Sequence, residues 1–371
     1  MTGSYLLIGL DFVAAFLVGT GLIRILLYIA YHRGLFDMPD ERKVHTQPVP
    51  RLGGMSFLPT IIIVISLTIG VLYRFELVTM PFGDNVLFIR VLYMIGGAFI
   101  LYLLGVADDL AGVGFKAKLV MQFIASAVMV SSGLWLNKLY GILGIWRIPF
   151  YIGMPLTLFV LMWMINALNM IDGIDGLSSG LASISLLVLT VIFVYELKFV
   201  YAMTALATLG AVLAFMRFNL FGSAAKKTKL YMGDTGSLTL GLILCFLIIT
   251  LCSFVGHNGL TRNCKYFVLA FSSLLIPMLD VLRLVIVRLR RHMSPFLPDM
   301  NHIHHKLMRC GYSDRQTLVI ILGLDILFIL LNAGLCIVLN VNVLIVLDVV
   351  LYFALHYLIN RKIARVSAAK S

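Results

Sequence analysis

The sequence predicts an all-α polytopic integral membrane protein, on two observations. Of its 371 residues, 61% are hydrophobic and only 12% are charged, whereas soluble domains carry roughly 25% charged residues. The apolar residues also gather into runs of the ~20 residues that cross a bilayer. Gly-Asp, Pro-Gly and charged breaks separate most of these runs.

About eleven transmembrane helices are expected, near 4–31, 53–73, 88–107, 117–135, 150–167, 179–196, 199–217, 237–256, 264–287, 316–339 and 341–360. The turns at 196–199 and 339–341 are the weakest boundaries. The whole chain, 1–371, reads as a single membrane-embedded domain. It has no internal repeat of the kind that marks many transporters. The first apolar run is long and has no small-residue cleavage site, so it reads as a retained span rather than a secretory signal. None of the five cysteines forms a CxxC pair, and they read as packing residues.

Lys and Arg set the expected topology. The segments 32–52, 108–118, 166–178, 217–236, 283–315 and 361–371 hold 21 of the 29, and the opposite loops hold seven. The positive-inside rule puts the first group in the cytoplasm, the N-terminus outside and the C-terminus in the cytoplasm. The net charge of +12 thus reflects topology, and no nucleic-acid partner is expected. Asp37, Asp40, Glu41, Asp108, Asp109, Asp172, Asp175, Asp234, Asp280, Asp299 and Asp314 then all fall on or near the cytoplasmic face, while Asp325 and Asp348 sit well inside spans. A transporter needs groups near the midplane, whereas a membrane-surface enzyme needs them at one face. An active site at the cytoplasmic face is expected.

The first cytoplasmic loop, Asp37–Gly54, mixes charge with proline, and Lys43, His45 and Arg51 are candidate phosphate contacts. Asp108 and Asp109 close the third span. Adjacent carboxylates at a helix C-terminus repel each other and oppose the helix dipole, so a cation is the natural remedy. Mg²⁺ typically takes one or two carboxylates plus substrate phosphates. Lys116 and Lys118 follow within reach of an anion.

The densest stretch is Asn166–Gly180, with Asn166, Asn169, Asp172 and Asp175 around Gly173, Gly176 and Gly180. Asp172 and Asp175 share a face on a helical turn. Ionisable groups and broken backbone at membrane depth are tolerated where they line a polar cavity. The stretch has no basic residue, so it orients substrate or handles protons while flanking loops hold anions. Asn219 and the basic run Lys226-Lys227-Thr228-Lys229 lead to Tyr231-Met232-Gly233-Asp234-Thr235-Gly236-Ser237. Asp234 is a candidate metal ligand or helix N-cap, and Tyr231 offers a face for stacking a base. Asp280 and Arg283 are spaced to pair at i, i+3. The last loop carries His302, His304 and His305. Without HExxH or a cysteine partner, phosphate hydrogen bonding fits them better than zinc.

These motifs, in this order on alternate helix ends, resemble the polyprenyl-phosphate N-acetylhexosamine-1-phosphate transferases of glycosyltransferase family 4. The run Ser294–His305 is most similar to the bacterial undecaprenyl-phosphate N-acetylglucosamine-1-phosphate transferases, and the resemblance covers roughly 35–320. It implies Mg²⁺-dependent transfer of a sugar-1-phosphate, N-acetylglucosamine-1-phosphate first among the choices, from a UDP-sugar to undecaprenyl phosphate. UMP is released, and the lipid-linked sugar pyrophosphate starts a cell-envelope polysaccharide such as lipopolysaccharide O-antigen. Mn²⁺ is the alternative ion. The implied location is the bacterial cytoplasmic (inner) membrane, and homologues suggest a homodimer.

Carried over residue by residue, the resemblance implies Asp234 as metal ligand, with Asp108 and Asp109 in catalysis and in placing metal or lipid phosphate. Asn166, Asp172 and Asp175 match positions around the nucleotide and catalytic centre. Asn219, Tyr231 and Lys43 match positions near the nucleotide, and His302, His304 and His305 match the loop that closes over sugar and phosphates. The chemistry agrees, because two anions must meet and cations must offset their repulsion. Direct attack of the lipid phosphate on the donor β-phosphorus is the preferred route, ahead of a phospho-aspartate intermediate. Two other function classes fit less well. An ion-coupled transporter is disfavoured by the one-sided acids. An intramembrane aspartyl protease is disfavoured because Tyr231 stands where Gly-x-Gly-Asp needs its first glycine.

Overall fold

The computed structural model describes residues 2–36, 49–74, 85–253, 260–294 and 300–368. Lys43 and His45 lie outside the described residues, as do Asp37, Asp40, Glu41 and Asp299. The chain is a bundle of helices in this order: α1 (Thr2–Arg33), α2 (Phe57–Arg74), α3 (Asn85–Ala111), α4 (Phe115–Ser131), α5 (Phe150–Met170), α6 (Leu177–Tyr195), α7 (Phe199–Phe221), α8 (Gly233–Ser253), α9 (Leu260–Ser272), α10 (Leu275–Arg290), α11 (Ile303–Arg309), α12 (Asp314–Leu335) and α13 (Val341–Ala368).

Every expected span has a counterpart. Among the described residues nine helices are long and apolar enough to cross a membrane, and the pair α9–α10, bent by 68°, makes a tenth. The remaining expected span corresponds to α4, which is not among those ten: its 17 residues give a rod of about 25 Å. The bend was not expected. It falls at Ser273-Leu274, and Pro277 sits in the first turn of α10, where its missing N–H takes no hydrogen bond away.

The helix at the centre is α8. It is buried from Gly233 through Cys252 and packs against α3, α5, α6 and α9. A helix apolar all round belongs in the middle of a bundle, and its one charged residue, Asp234, stands in its first turn. The outer helices leave large apolar side chains exposed, such as Leu17 and Tyr28 on α1 and Val319 and Leu330 on α12, as lipid-facing surfaces require.

A small antiparallel hairpin, β1 (Lys138–Ile142) and β2 (Ile145–Arg147), joins α4 to α5 at the end of the bundle away from the acids. The hairpin had no sequence signal beyond its glycines. It is tied down by the Tyr140 hydroxyl donating to Cys252 O at 2.7 Å and by Asn342 donating to Gly141 O at 2.8 Å. Inside the bundle Asp11 accepts from Thr68, and Asp348 accepts from Asn332 at 3.0 and 3.1 Å.

Candidate active site

The C-terminal ends of α3, α5 and α7 and the N-terminal end of α8 meet at one end of the bundle, and they carry most of the polar residues singled out above. The segment before α2 joins them by backbone pairing. Tyr231 N donates to Pro50 O at 2.9 Å, and Gly53 N and Gly54 N donate to Tyr231 O and Met232 O at 2.8 Å. This short ladder delivers Arg51 to the start of α8.

Asp109 holds that start in place. Its Oδ1 accepts from Asp234 N at 2.8 Å, and its Oδ2 accepts from Thr235 N at 3.0 Å and Thr235 Oγ1 at 2.7 Å. A carboxylate from another helix thus caps α8 and satisfies orphan amides at its positive end. Gly233 makes the approach feasible: its φ is +76°, and a Cβ there would collide with Asp109 Oδ2.

Asp108 and Asp234 face each other beside this cap. Lys118 Nζ bridges them, 2.8 Å from Asp108 Oδ2 and 2.5 Å from Asp234 Oδ2. The Arg51 guanidinium donates to Asp234 Oδ1 at 2.9 Å. Asp108, Asp109 and Asp234 each offer an oxygen within 4.8 Å of the others, a spacing that suits one cation. The three are not equivalent. Asp109 is spent on the cap, while Asp108 and Asp234 face an ammonium that can move.

The break between α5 and α6 forms the facing wall. Gly176 turns the chain with φ +78°, and its N–H donates to Asn219 Oδ1 at 2.7 Å. Asp175 accepts from Asn219 Nδ2 at 3.0 Å and from Lys229 Nζ at 2.5 Å. The side chain of Asp172, a half-buried residue, has no hydrogen-bond partner among the described residues. Burial pushes its carboxyl up to about 7, the charges of Asp234, Asp175 and Asp109 push the same way, and Arg51 opposes them. Asn169 donates to Ser237 Oγ at 2.8 Å and so ties α5 to α8. Asn166 pairs with Gln122 of α4, donating at 2.7 Å and accepting at 3.2 Å. Tyr231 keeps its side chain half-buried at the edge of this wall.

The histidines arrive on α11, and a fully buried carboxylate, Asp280, positions them. Asp280 Oδ2 pairs with His302 Nδ1 at 2.7 Å and accepts from Ile303 N at 3.3 Å. Its Oδ1 accepts from Arg283 at 2.9 Å and Tyr352 at 3.0 Å. His302 is therefore bonded to the scaffold. His304 instead reaches the α5–α6 break, where its ring fills the space that a Cβ on Gly173 would need. Both its ring nitrogens are buried without a partner. Burial holds its pKa down to about 3, with His305 and His302 adding to the effect, so the ring is neutral. His305 lies against it with ring centroids 4.1 Å apart.

The structure thus brings together Arg51, Asp108, Asp109, Lys118, Asp172 and Asp234, with Asn169, Asp175, Asn219 and Tyr231 along one side and His304 and His305 beside Gly173. It places Asn166 in an interhelical amide pair and His302 on Asp280. Sequence reasoning missed three contributors. Lys229 reads in the sequence only as part of a basic run, and its contact with Asp175 follows from the turn after α7. Asp280 reads there as half of a local ion pair, although a carboxylate inside a span is itself a signal of a wider network. Thr235 gave no signal beyond its place after Asp234.

The model of glycosyl transferase family 4 matches residues 91–252. The undecaprenyl-phosphate alpha-N-acetylglucosaminyl 1-phosphate transferase of Salmonella typhi is 33% identical over 315 residues, covering 84% of this chain and 79% of that protein. The protein of the same name from Escherichia coli K12 is 31% identical over 322 residues, covering 86% and 81%. The decaprenyl-phosphate N-acetylglucosaminephosphotransferase of Mycolicibacterium smegmatis is 30% identical over 331 residues, covering 85% and 78%.

Proposed function

Because the chain belongs to glycosyl transferase family 4, as a multi-pass membrane protein, we propose that it transfers N-acetylglucosamine-1-phosphate from UDP-N-acetylglucosamine to undecaprenyl phosphate. The reaction would run at the cytoplasmic face of a bacterial inner membrane and release UMP. The observation that carries the reading is Lys118 bridging Asp108 and Asp234 beside Arg51: carboxylates and mobile cations interleaved at one end of the bundle, as a reaction between two phosphates requires.

Asp108 and Asp234 are the residues that would hold a divalent cation, Mg²⁺ or alternatively Mn²⁺. Their all-oxygen donor set suits a hard ion, and the Lys118 ammonium between them marks where positive charge is favoured. When bound, the ion would offset the charge of the donor pyrophosphate. Asp109 holds the start of α8 rigid, and a cap that does not move preserves alignment for in-line attack. Arg51 and Lys118 turn from the carboxylates to the phosphates. An oxygen of the lipid phosphate forms a bond to the donor β-phosphorus, the bond from that phosphorus to the bridging oxygen breaks, and UMP leaves with the electron pair. Asp172, whose carboxylate has no hydrogen-bond partner among the described residues, takes the proton from acceptor that arrives as a monoanion. Asn219, Lys229 and Tyr231 line the side suited to the uridine, and neutral His304 with His305 offers hydrogen bonds to sugar and phosphate.

The test is direct. Purified protein with undecaprenyl phosphate, Mg²⁺ and UDP-N-acetylglucosamine should release UMP and form a lipid-linked sugar pyrophosphate. Absence of UMP with every UDP-N-acetylhexosamine tried would sink the reading.

A further inference from the structure

Arg24 has no role in the site described. It lies on α1 nine residues before Arg33, the last residue of that helix, which puts it about 13 Å down the helix from its end. Charges at such depth are costly and are retained where they have a partner. Among the described residues Arg24 makes no ion pair or hydrogen bond. It lines instead a groove of about 710 Å³ between the last turns of α1 and α7, with Arg217, His32, Lys227, Tyr28 and Phe221. Among the described residues no carboxylate lines it. Arg217 likewise has no hydrogen-bonded or ionic partner among the described residues. Lys227 sits 5.6 Å above the Tyr31 ring, and His32 stacks on Tyr28 with centroids 5.1 Å apart. Tyr28 and Phe221, 68% and 81% exposed, hold the rim toward the lipid.

We propose that this groove binds the phosphodiester headgroup of an anionic glycerophospholipid of the surrounding membrane. Three cations with no acid among the described lining residues call for an anion. Their position beside exposed aromatic side chains near a helix end is the headgroup level of a bilayer. The cavity accommodates a headgroup and the first carbons of its chains, leaving the acyl tails along exposed α1. The acceptor lipid is the less suitable occupant, because α7 stands between the groove and the carboxylates. Phe218 lines the groove, whereas Asn219 points the other way to Asp175. The turn carrying Lys227 continues directly into Lys229, which also holds Asp175. A bound headgroup therefore steadies the two side chains that fix one wall of the active site.

Native mass spectrometry of the protein released from nanodiscs of phosphatidylglycerol and phosphatidylcholine reads the proposal without relying on catalysis. The full chain should retain phosphatidylglycerol selectively. Arg24→Gln with Arg217→Gln should weaken retention roughly 30-fold, and Lys227→Gln, on an exposed turn that leaves the helices intact, about fivefold. Arg33→Gln, outside the groove, should leave retention unchanged. Equal retention in wild type and Lys227→Gln overturns the proposal. So does displacement of the phosphatidylglycerol by an equal amount of undecaprenyl phosphate, which would assign the groove to the acceptor instead.

Discussion

Asp234 and Asp280 are both buried carboxylates held by basic partners, and they differ in how exposed those partners are. Around Asp234 the partners are Arg51 and Lys118, whose side chains are 39% and 25% exposed. Around Asp280 they are Arg283 and His302, each 6% exposed, with the buried Tyr352 closing the shell. The first pair of partners can leave for a ligand at small cost, since water takes their place. The second pair cannot, because each would become an uncompensated buried group. One carboxylate is therefore built for exchange and the other for permanence. The permanent one carries the histidines to the exchangeable one.

The largest effect is expected at the exchangeable site. Asp234→Asn keeps the shape but removes the charge that gathers cations, and turnover should fall by about 10³-fold. Thermal stability in detergent should hardly move, because Arg51 and Lys118 return to water. Near-normal turnover across a Mg²⁺ titration would remove Asp234 from the metal site.

Asp280→Asn should do the reverse in kind. It strips the charge from a fully buried network and leaves Arg283 unpaired, a loss of about 3–5 kcal/mol. Thermal unfolding would show it directly. Activity should fall with it, since His302 loses the partner that anchors α11. A variant as stable as wild type would mean that the network is incidental.

The contrast was only half legible in the sequence. Hydropathy set out the helices, because each run long enough to span is also apolar enough to stay in lipid. Glycines marked where helices end, and carboxylates beside them marked the site. Local signals go no further. The cap that Asp109 places on α8 joins residues 125 positions apart, and Asp280 gathers partners from α10, α11 and α13. Such convergence depends on how helices pack, which no local pattern encodes. Asn166 shows the same limit from the other side: an amide in a polar stretch reads as substrate-facing, and only the packing shows that it pairs with Gln122 on the neighbouring helix.

Asp172 is the third case, a half-buried carboxylate with no partner to exchange or keep among the described residues, and it sharpens the comparison most finely. Its carboxyl is pushed up to about 7, so it is half ionised near neutrality. A proton acceptor must be deprotonated, so kcat/KM should be full above pH about 7 and fall as the pH drops through that value. Without Asp172 the acceptor phosphomonoester must arrive already as its dianion, so its own pKa of about 6 then sets the limb. Asp172→Asn should lower kcat/KM by about 10²-fold and move the limb down to about 6. That shift of profile separates proton handling from mere positioning, which would lower the rate at every pH and leave the limb where it was.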